Sequence, residues 1–295
     1  MISIIICSVN PAALDNVKKN IEETIGIPYE IIAIDNSKNQ YGICKAYNMG
    51  AGRAKFPVLC FMHEDISFET ANWGQLVCGH LADDRTGLLG VAGGDAKSLV
   101  PSSWSVPIIS NEINLVQHYK SDKPTERIVV TNPDVSGSRK KVVALDGVWL
   151  CTKKKVLDQF KFDEINFTGF HGYDIDFSLQ VNTRYDPYVV FDIVIHHYSE
   201  GTPDKKWIDS AIGVSRKWKR HLPVSIYDLP MSSYRLYHWR SLQVFIYRLF
   251  NLNYSYPAIL KFYLAYSFTR FFSARRFFSM GRYVLLGMYN HKNLV

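Results

Sequence analysis

The chain has 295 residues, with 34 basic against 27 acidic side chains and a net charge of +7. At ~150 residues per domain that length allows one large α/β domain with a smaller appendage, or two modest domains. A composition of 47% hydrophobic and 21% charged residues excludes wholesale disorder. Five scattered cysteines without a CxxC (Cys7, Cys44, Cys60, Cys78 and Cys151) exclude a disulfide scaffold and a zinc ribbon, and suggest a reducing compartment.

The β-branched run 2–6 reads as a buried first strand, and its apolar stretch is too short for a signal peptide or a membrane span. Pro11 sits at a favoured early position of a predicted helix over 11–24. A strand over 29–34, a helix over 42–54, a strand over 57–62, a helix over 69–82 and a short strand over 87–92 follow. Strands alternating with helices predict a doubly wound, mostly parallel α/β sheet. Residues 94–141 are rich in Ser, Pro, Asn, Lys and Asp and read as a loop or lid insertion. An apolar strand over 141–151 is interrupted by Asp146-Gly147, and Lys153-Lys154-Lys155 reads as the solvated start of a short helix. A further helix follows the segment 167–178, and a strand over 188–195 ends at His196-His197. Asn166 and Asn253 fit the glycosylation pattern, with nothing in the chain to indicate export.

Charge divides the chain. From Met231 onward there are nine basic residues, no Asp or Glu, and 18 of the 41 aromatic residues. The longest stretch there without Lys or Arg, 249–260, has 12 residues and contains Pro257, against the ~20 apolar residues a bilayer span needs. Helices are predicted over 234–250, 257–272 and 274–289. Interleaved basic and aromatic side chains suit an anionic membrane surface. The bland alternative is aromatic packing on the body beneath a solvated basic face. Nucleic acid is a third partner class for such a surface, but no nucleic-acid motif supports it.

In a doubly wound sheet, ligands bind beyond the carboxyl ends of the strands. Polar clusters fall at those ends: Ser8-Val9-Asn10, Asp35-Asn36-Ser37 and His63-Glu64-Asp65. A carboxylate directly after a buried strand can hold a divalent metal, or it can cap the helix expected near Glu69. Asp35 is equally a turn former or a ligand for a base or ribose. Asp174 and Asp176, two apart, point different ways on a helix. One can act as a general base, or both can simply favour a helix N-terminus. Only one of His196 and His197 can face a cleft from an extended segment. No GxGxxG, GxxxxGK[ST], GxSxG or HExxH occurs.

Taken in order, the segments 8–10, 31–37, 42–50, 58–65, 143–147, 169–176 and 196–197 resemble the nucleotide-diphospho-sugar glycosyltransferases of GT-A fold, family 2-like, over about residues 1–220. The resemblance implies a GT-A domain at 1–225 and a helical, membrane-associating region at 226–295. It implies donor binding by Ser8, Asn10, Asp35, Asn36, Asn48, His63, Glu64, Asp65, Asp146 and Gly147, and acceptor binding by His171 and Tyr173. The base would be Asp174, with Asp176 as the competing choice. The cofactor would be Mn²⁺ or Mg²⁺ on Asp65 and His197, with His196 as the competitor. Two departures stand out: His63 replaces the first acid of the family's DxD motif, and Tyr173 replaces the first acid of its Glu-Asp pair.

The implied activity is inverting transfer from a nucleotide sugar, by family habit a UDP-sugar, to a glycan or lipid-linked acceptor. Bacterial surface polysaccharide or lipopolysaccharide synthesis would be the setting. The expected location is cytoplasmic, on the inner face of the cell membrane, with self-association through the C-terminal region as an option. Two other readings compete: a noncatalytic nucleotide- or glycan-binding protein of the same fold at a membrane surface, and a sugar nucleotidyltransferase. The latter would want a Gly-rich basic loop after the first strand, which Ser8-Val9-Asn10-Pro11-Ala12 is not.

Overall fold

The computed structural model describes residues 1–105, 111–119, 124–130, 137–199, 201 and 203–292. The first half runs β1 (Ile2–Ser8), α1 (Pro11–Thr24), β2 (Tyr29–Asp35), α2 (Ile43–Arg53), β3 (Val58–Met62), β4 (Ile66–Phe68), α3 (Trp73–Leu81), β5 (Thr86–Gly90), β6 (Ala92–Gly94), β7 (Ala96–Lys97). It continues through β8 (Asn111–Gln117), β9 (Glu126–Val130), β10 (Arg139–Lys141), β11 (Ala144–Leu145), β12 (Trp149–Lys153), α4 (Lys154–Leu157), α5 (Tyr173–Asn182), β13 (Asp186–Val190), β14 (Ile195–His197), α6 (Lys205–Lys217) and β15 (Val224–Ser225). The tail is α7 (Met231–Asn251), α8 (Tyr256–Ser267) and α9 (Ala274–Lys292).

The main sheet has the order β10-β13-β5-β12-β3-β1-β2. The β1–β2, β1–β3 and β5–β13 pairs are parallel, while β12 runs antiparallel to both β3 and β5 and β10 runs antiparallel to β13. The sheet is thus mostly parallel with two reversed strands. Isoleucines of β1 are buried on both faces, as expected of a strand covered on each side. Because β12 is reversed, its beginning lies at the carboxyl edge of β3, with Trp149 opposite Met62. Asp146-Gly147 is thereby delivered to the carboxyl edge of the parallel strands.

A second sheet, β11-β6-β8-β14-β4 with β9 on β8, covers that edge. It corrects the reading of 94–141 as a loop. Its described residues between 111 and 141 include β8, β9 and β10, and β8 buries the polar Glu112 and Asn114 along with Leu115 and Val116. The lid reading includes 106–110, 120–123 and 131–136, which lie outside the described residues. The helix expected from 69 begins only at Trp73, because β4 intervenes. Glu64 and Asp65 therefore cap no helix.

Two further expectations are overturned. Cys60 and Cys151 face each other across the antiparallel β3–β12 pair and form a disulfide. Their 91-residue separation concealed this, and the cysteine count no longer argues for a reducing compartment. Lys153 is not solvated: its Nζ is mostly buried and donates to the carbonyls of Leu81, Asp83 and Asp84.

The tail helices pack around Leu242, Phe245, Ile246, Leu249, Ile259 and Tyr263, and this core extends to Ile208 on α6 and to Val100. At about 1.5–3 kcal/mol per fully buried large apolar side chain, such a cluster is a substantial fraction of a domain's stability. No described helix is long and apolar enough to cross a membrane.

Candidate active site

The site is built where β1, β2 and β3 end. Glu64, just past β3, reaches back to the turn after β1. Its Oε2 accepts from the Ser8 hydroxyl at 2.6 Å, and its Oε1 accepts from the backbone N–H groups of Val9 and Asn10 at 3.1 and 2.9 Å. Glu64 therefore fixes the β1–α1 turn rather than standing free. Asn10 caps α1, its Oδ1 accepting from the amides of Ala12 and Ala13. Asn36 is buried, and both ends of its amide are bonded to the Tyr41 backbone at 2.9 Å, shaping the 36–41 loop. Asp35 is exposed beside it, and the Ser37 backbone amide and hydroxyl hold its carboxyl below the usual range.

One face of this edge gathers His63, Asp65 and His197, whose ligand atoms all lie within 4.8 Å of one another. His63 Nδ1 is 3.8 Å and His197 Nε2 is 4.0 Å from Asp65 Oδ1. The hydrogen-bond network sets both imidazole tautomers. Tyr173 Oη donates its single proton to the Gly147 carbonyl at 2.9 Å, so toward His63 Nε2, 3.0 Å away, it can only accept. His63 then carries its proton on Nε2 and turns the Nδ1 lone pair toward Asp65. On the other side, Gln117 Nε2 donates to the carbonyls of His118, His197 and Ser199. That fixes the amide with Oε1 facing His197 Nδ1 at 3.2 Å, which places a proton on Nδ1, while Nε2 faces Asp65 and the Ser199 hydroxyl 3.2 Å away.

Two imidazole nitrogens and a carboxylate thus converge, a donor set that fits a divalent transition metal. Burial keeps His63 neutral. Burial also pushes the Asp65 carboxyl up, but the Ser199 hydroxyl, and the positive charge the two imidazoles carry when protonated, outweigh it and hold the group below its ordinary value. His196 faces the opposite side of β14, its Nδ1 2.9 Å from His118 Nε2 and its Nε2 3.1 Å from Glu69. The strand's alternation gives the two neighbours different duties.

Asp146 and Asp174 meet beside this group. Asp146 accepts from the Trp104 indole at 2.6 Å and from the Val148 amide at 2.9 Å. Gly147 has no room for a side chain, since a Cβ there would come 2.1 Å from Tyr173 Oη. Its absence lets the first turn of α5 seat against the 146–147 turn. Asp174, in that turn, is raised to about 7 by burial first and by the Asp146 charge second, against backbone hydrogen bonds that include Gly147. A carboxylate that titrates near neutrality beside a metal-fitting cluster suits a general base. Asp176 points inward instead. It is buried and bonded to Lys217 Nζ, the Trp218 indole and Gln180, all at 2.8 Å.

Two predicted residues stand apart. Asn48 on α2 donates to the Phe162 carbonyl at 2.8 Å. His171 is half-buried with Asp204 3.7 Å away. The sequence reading missed Gln117, Trp104 and Phe170. Gln117 and Trp104 fall in the segment read as a loop, and only the β8–β14 register, which sets Gln117 opposite His197, reveals the first. Phe170 is 55% exposed with its ring 5.3 Å from that of His63, which puts it at the border of the site. An exposed aromatic flanked by glycines, Gly169 and Gly172, was the available signal.

Residues 3–218 match the sequence family described as Glycosyltransferase like family. That span is most of the chain, and the protein belongs to this family, with the GT-A type of α/β fold and an added C-terminal helical region. Among curated proteins, the streptomycin biosynthesis protein StrF of Streptomyces griseus is 25% identical over 170 residues, 54% of each chain. The chain thus spans about half the length of that relative. Solved structures resemble it at lower scores. A crystal structure of GalNAc-T7 with UDP, GalNAc and Mn²⁺ gives a TM-score of 0.49 at 11% identity, over 72% of this chain and 47% of that one. A crystal structure of A197 from STIV gives 0.38 at 13% identity, over 68% and 86%.

Proposed function

We propose that the protein is an inverting glycosyltransferase that moves a sugar from a nucleotide-diphosphate sugar, with UDP as the first candidate, onto a hydroxyl of a glycan or lipid-linked acceptor. The observation that carries this reading is the adjacency, at one sheet edge, of the Asp174 base and the His63–Asp65–His197 cluster. Residues 1–225 form the transferase unit. Ser8, Asn10 and Asp35 line the nucleoside end, and Asp146-Gly147 underlies the sugar. His171 and the exposed Phe170 border the acceptor. Tyr173 serves chiefly to orient His63.

Asp174 takes the proton of the acceptor hydroxyl while that oxygen attacks the anomeric carbon. The bond to the nucleoside diphosphate breaks on the opposite face, and a single displacement inverts the anomeric centre. Asp146 holds the 146–148 turn, and with it the Gly147 amide, against Asp174. His63, Asp65 and His197 would hold a divalent cation, which supplies charge to offset that developing on the departing diphosphate. Two imidazoles in the donor set favour Mn²⁺ over Mg²⁺.

The tail supports placing the reaction at a membrane surface, peripherally on the inner face of the cell membrane. The acceptor would then be a lipid-linked precursor of a bacterial surface polysaccharide or lipopolysaccharide. The test is a panel of UDP-, GDP-, dTDP- and CMP-sugars, with and without Mn²⁺, followed by thermal shift and donor hydrolysis on wild type and Asp65→Ala. A metal-dependent shift with one nucleotide, lost in the variant, is expected. Binding without turnover toward any acceptor would favour a noncatalytic role.

A further inference from the structure

The tail helices have two aromatic and aliphatic faces, of which only one is needed for their core. The outer residues Leu260 and Leu264 of α8 and Phe268 at its C-cap recur every fourth position, and all three are exposed. Phe272, in the turn to α9, is exposed and its ring lies 5.5 Å from that of Phe268. On α9, Phe278, Leu285 and Leu286 are exposed, Phe278 at 72%. Lys261, Arg270, Arg275 and Arg282 are exposed among them. The pair thus keeps an exposed apolar stripe, with basic residues beside it, outside its buried side, and an aromatic tip joins the two helices.

We infer that the outer face of α8 and α9, with the 268–272 tip, lies in the headgroup region of an anionic bilayer. Phe268, Phe272, Phe278 and Leu285 enter the acyl boundary, and the interleaved Lys and Arg residues meet lipid phosphates. This deepens the membrane reading given above and rests on it. Charge complementarity selects the occupant. Residues 231–295 contain no acidic side chain, so a symmetric tail-to-tail contact with a second copy would bring one basic face against another, whereas anionic lipid matches it. The inner side of the same helices packs on Ile208 of α6. The N-cap of α6, Asp204, lies beside His171 at the acceptor border. One helix therefore connects the bilayer face to the side of the site where a lipid-linked hydroxyl would enter.

The full chain is tested by cosedimentation with phosphatidylcholine vesicles, with and without phosphatidylglycerol, at low and high salt. Wild type should sediment with the anionic vesicles alone, and high salt should weaken the binding. R270E/R275E/R282E should lose binding by at least roughly fivefold for each reversed arginine. F268S/F278S should reduce binding at both salt concentrations, because it removes buried apolar area. Both variants change exposed residues, and unchanged melting temperatures check that they fold. Wild type that stays in the supernatant with anionic vesicles, yet keeps its nucleotide-dependent thermal shift, overturns the bilayer face and leaves the transferase reading standing. Vesicle binding without any nucleotide shift does the reverse. A dimer in sedimentation velocity that F268S/F278S disperses, without vesicle binding, assigns the face to a second copy and overturns the proposal.

Discussion

The body and the tail use aromatic residues in opposite ways. In the body, Trp73, Trp149, Phe61, Phe162 and Phe177 are sealed within the sheet–helix layers, and the phenylalanine left largely in the open is Phe170 at the site. In the tail, Phe245 and Phe271 are equally sealed, but Phe268, Phe272 and Phe278 stand outward among arginines. In the body one exposed phenylalanine stands at a hydrogen-bonded corner, and in the tail exposed phenylalanines follow one another along α8, the turn after it and α9. A pocket that grips a small polar molecule needs few such rings and many fixed donors. A surface that dips into lipid needs many rings and little fixed geometry. Composition alone, rich in aromatics in both regions, does not distinguish them.

The sharpest test of the corner is Asp174→Asn, which keeps the shape and removes the base. Transfer should fall by about a hundredfold to ten-thousandfold, with the Mn²⁺- and nucleotide-dependent thermal shift retained. In the wild type the base must be ionised to act, and its carboxyl titrates at about 7. The rate should therefore rise with pH up to about 7 and then level off. Below that, it should drop tenfold per pH unit, a slope Asp174→Asn should lack.

Within the tail, Phe245→Ala empties a buried site and should cost about 3–5 kcal/mol by denaturant unfolding. Gln117→Leu removes the partner that sets the His197 tautomer, and Mn²⁺ affinity by calorimetry should weaken by about ten- to a hundredfold with the fold intact. The smallest stability effect belongs to Phe278→Ser, whose stability should stay within about 0.5 kcal/mol of wild type. A large destabilisation there would mean that the outer face of α9 is core after all, and the contrast between the regions would collapse.

Much of the fold was legible because buried parallel strands write themselves as β-branched runs, as in β1, and because the segments at the carboxyl ends of β1, β2 and β3 carry their polar clusters consecutively. The reversed strand β12 and the second sheet were not legible. Strand direction leaves no local mark, and strands such as β8, with buried Glu and Asn, and the exposed β9 share their composition with loops. At the site, Asp65, Asp146, Asp174 and His197 could be nominated from motif order. What each neighbour does could not. Glu64 spends its carboxylate on the β1 turn, Asp176 spends its own on Lys217 and Trp218, and Tyr173 orients a histidine. Those assignments depend on pairs more than 25 residues apart, which no local pattern encodes.

The tandem His196-His197 has a consequence for how β14 tolerates error. A slip of one residue in a strand normally exchanges its faces and leaves the wrong chemistry pointing inward. Here a slip in the direction that brings His196 to the place of His197 would still present an imidazole to Asp65, but one no longer held by the Gln117 amide. A misregistered molecule would then keep a weak affinity for cations while losing the orientation that makes the affinity useful. Metal binding by itself would be a poor gauge of correct folding in this protein, and only turnover would report on register.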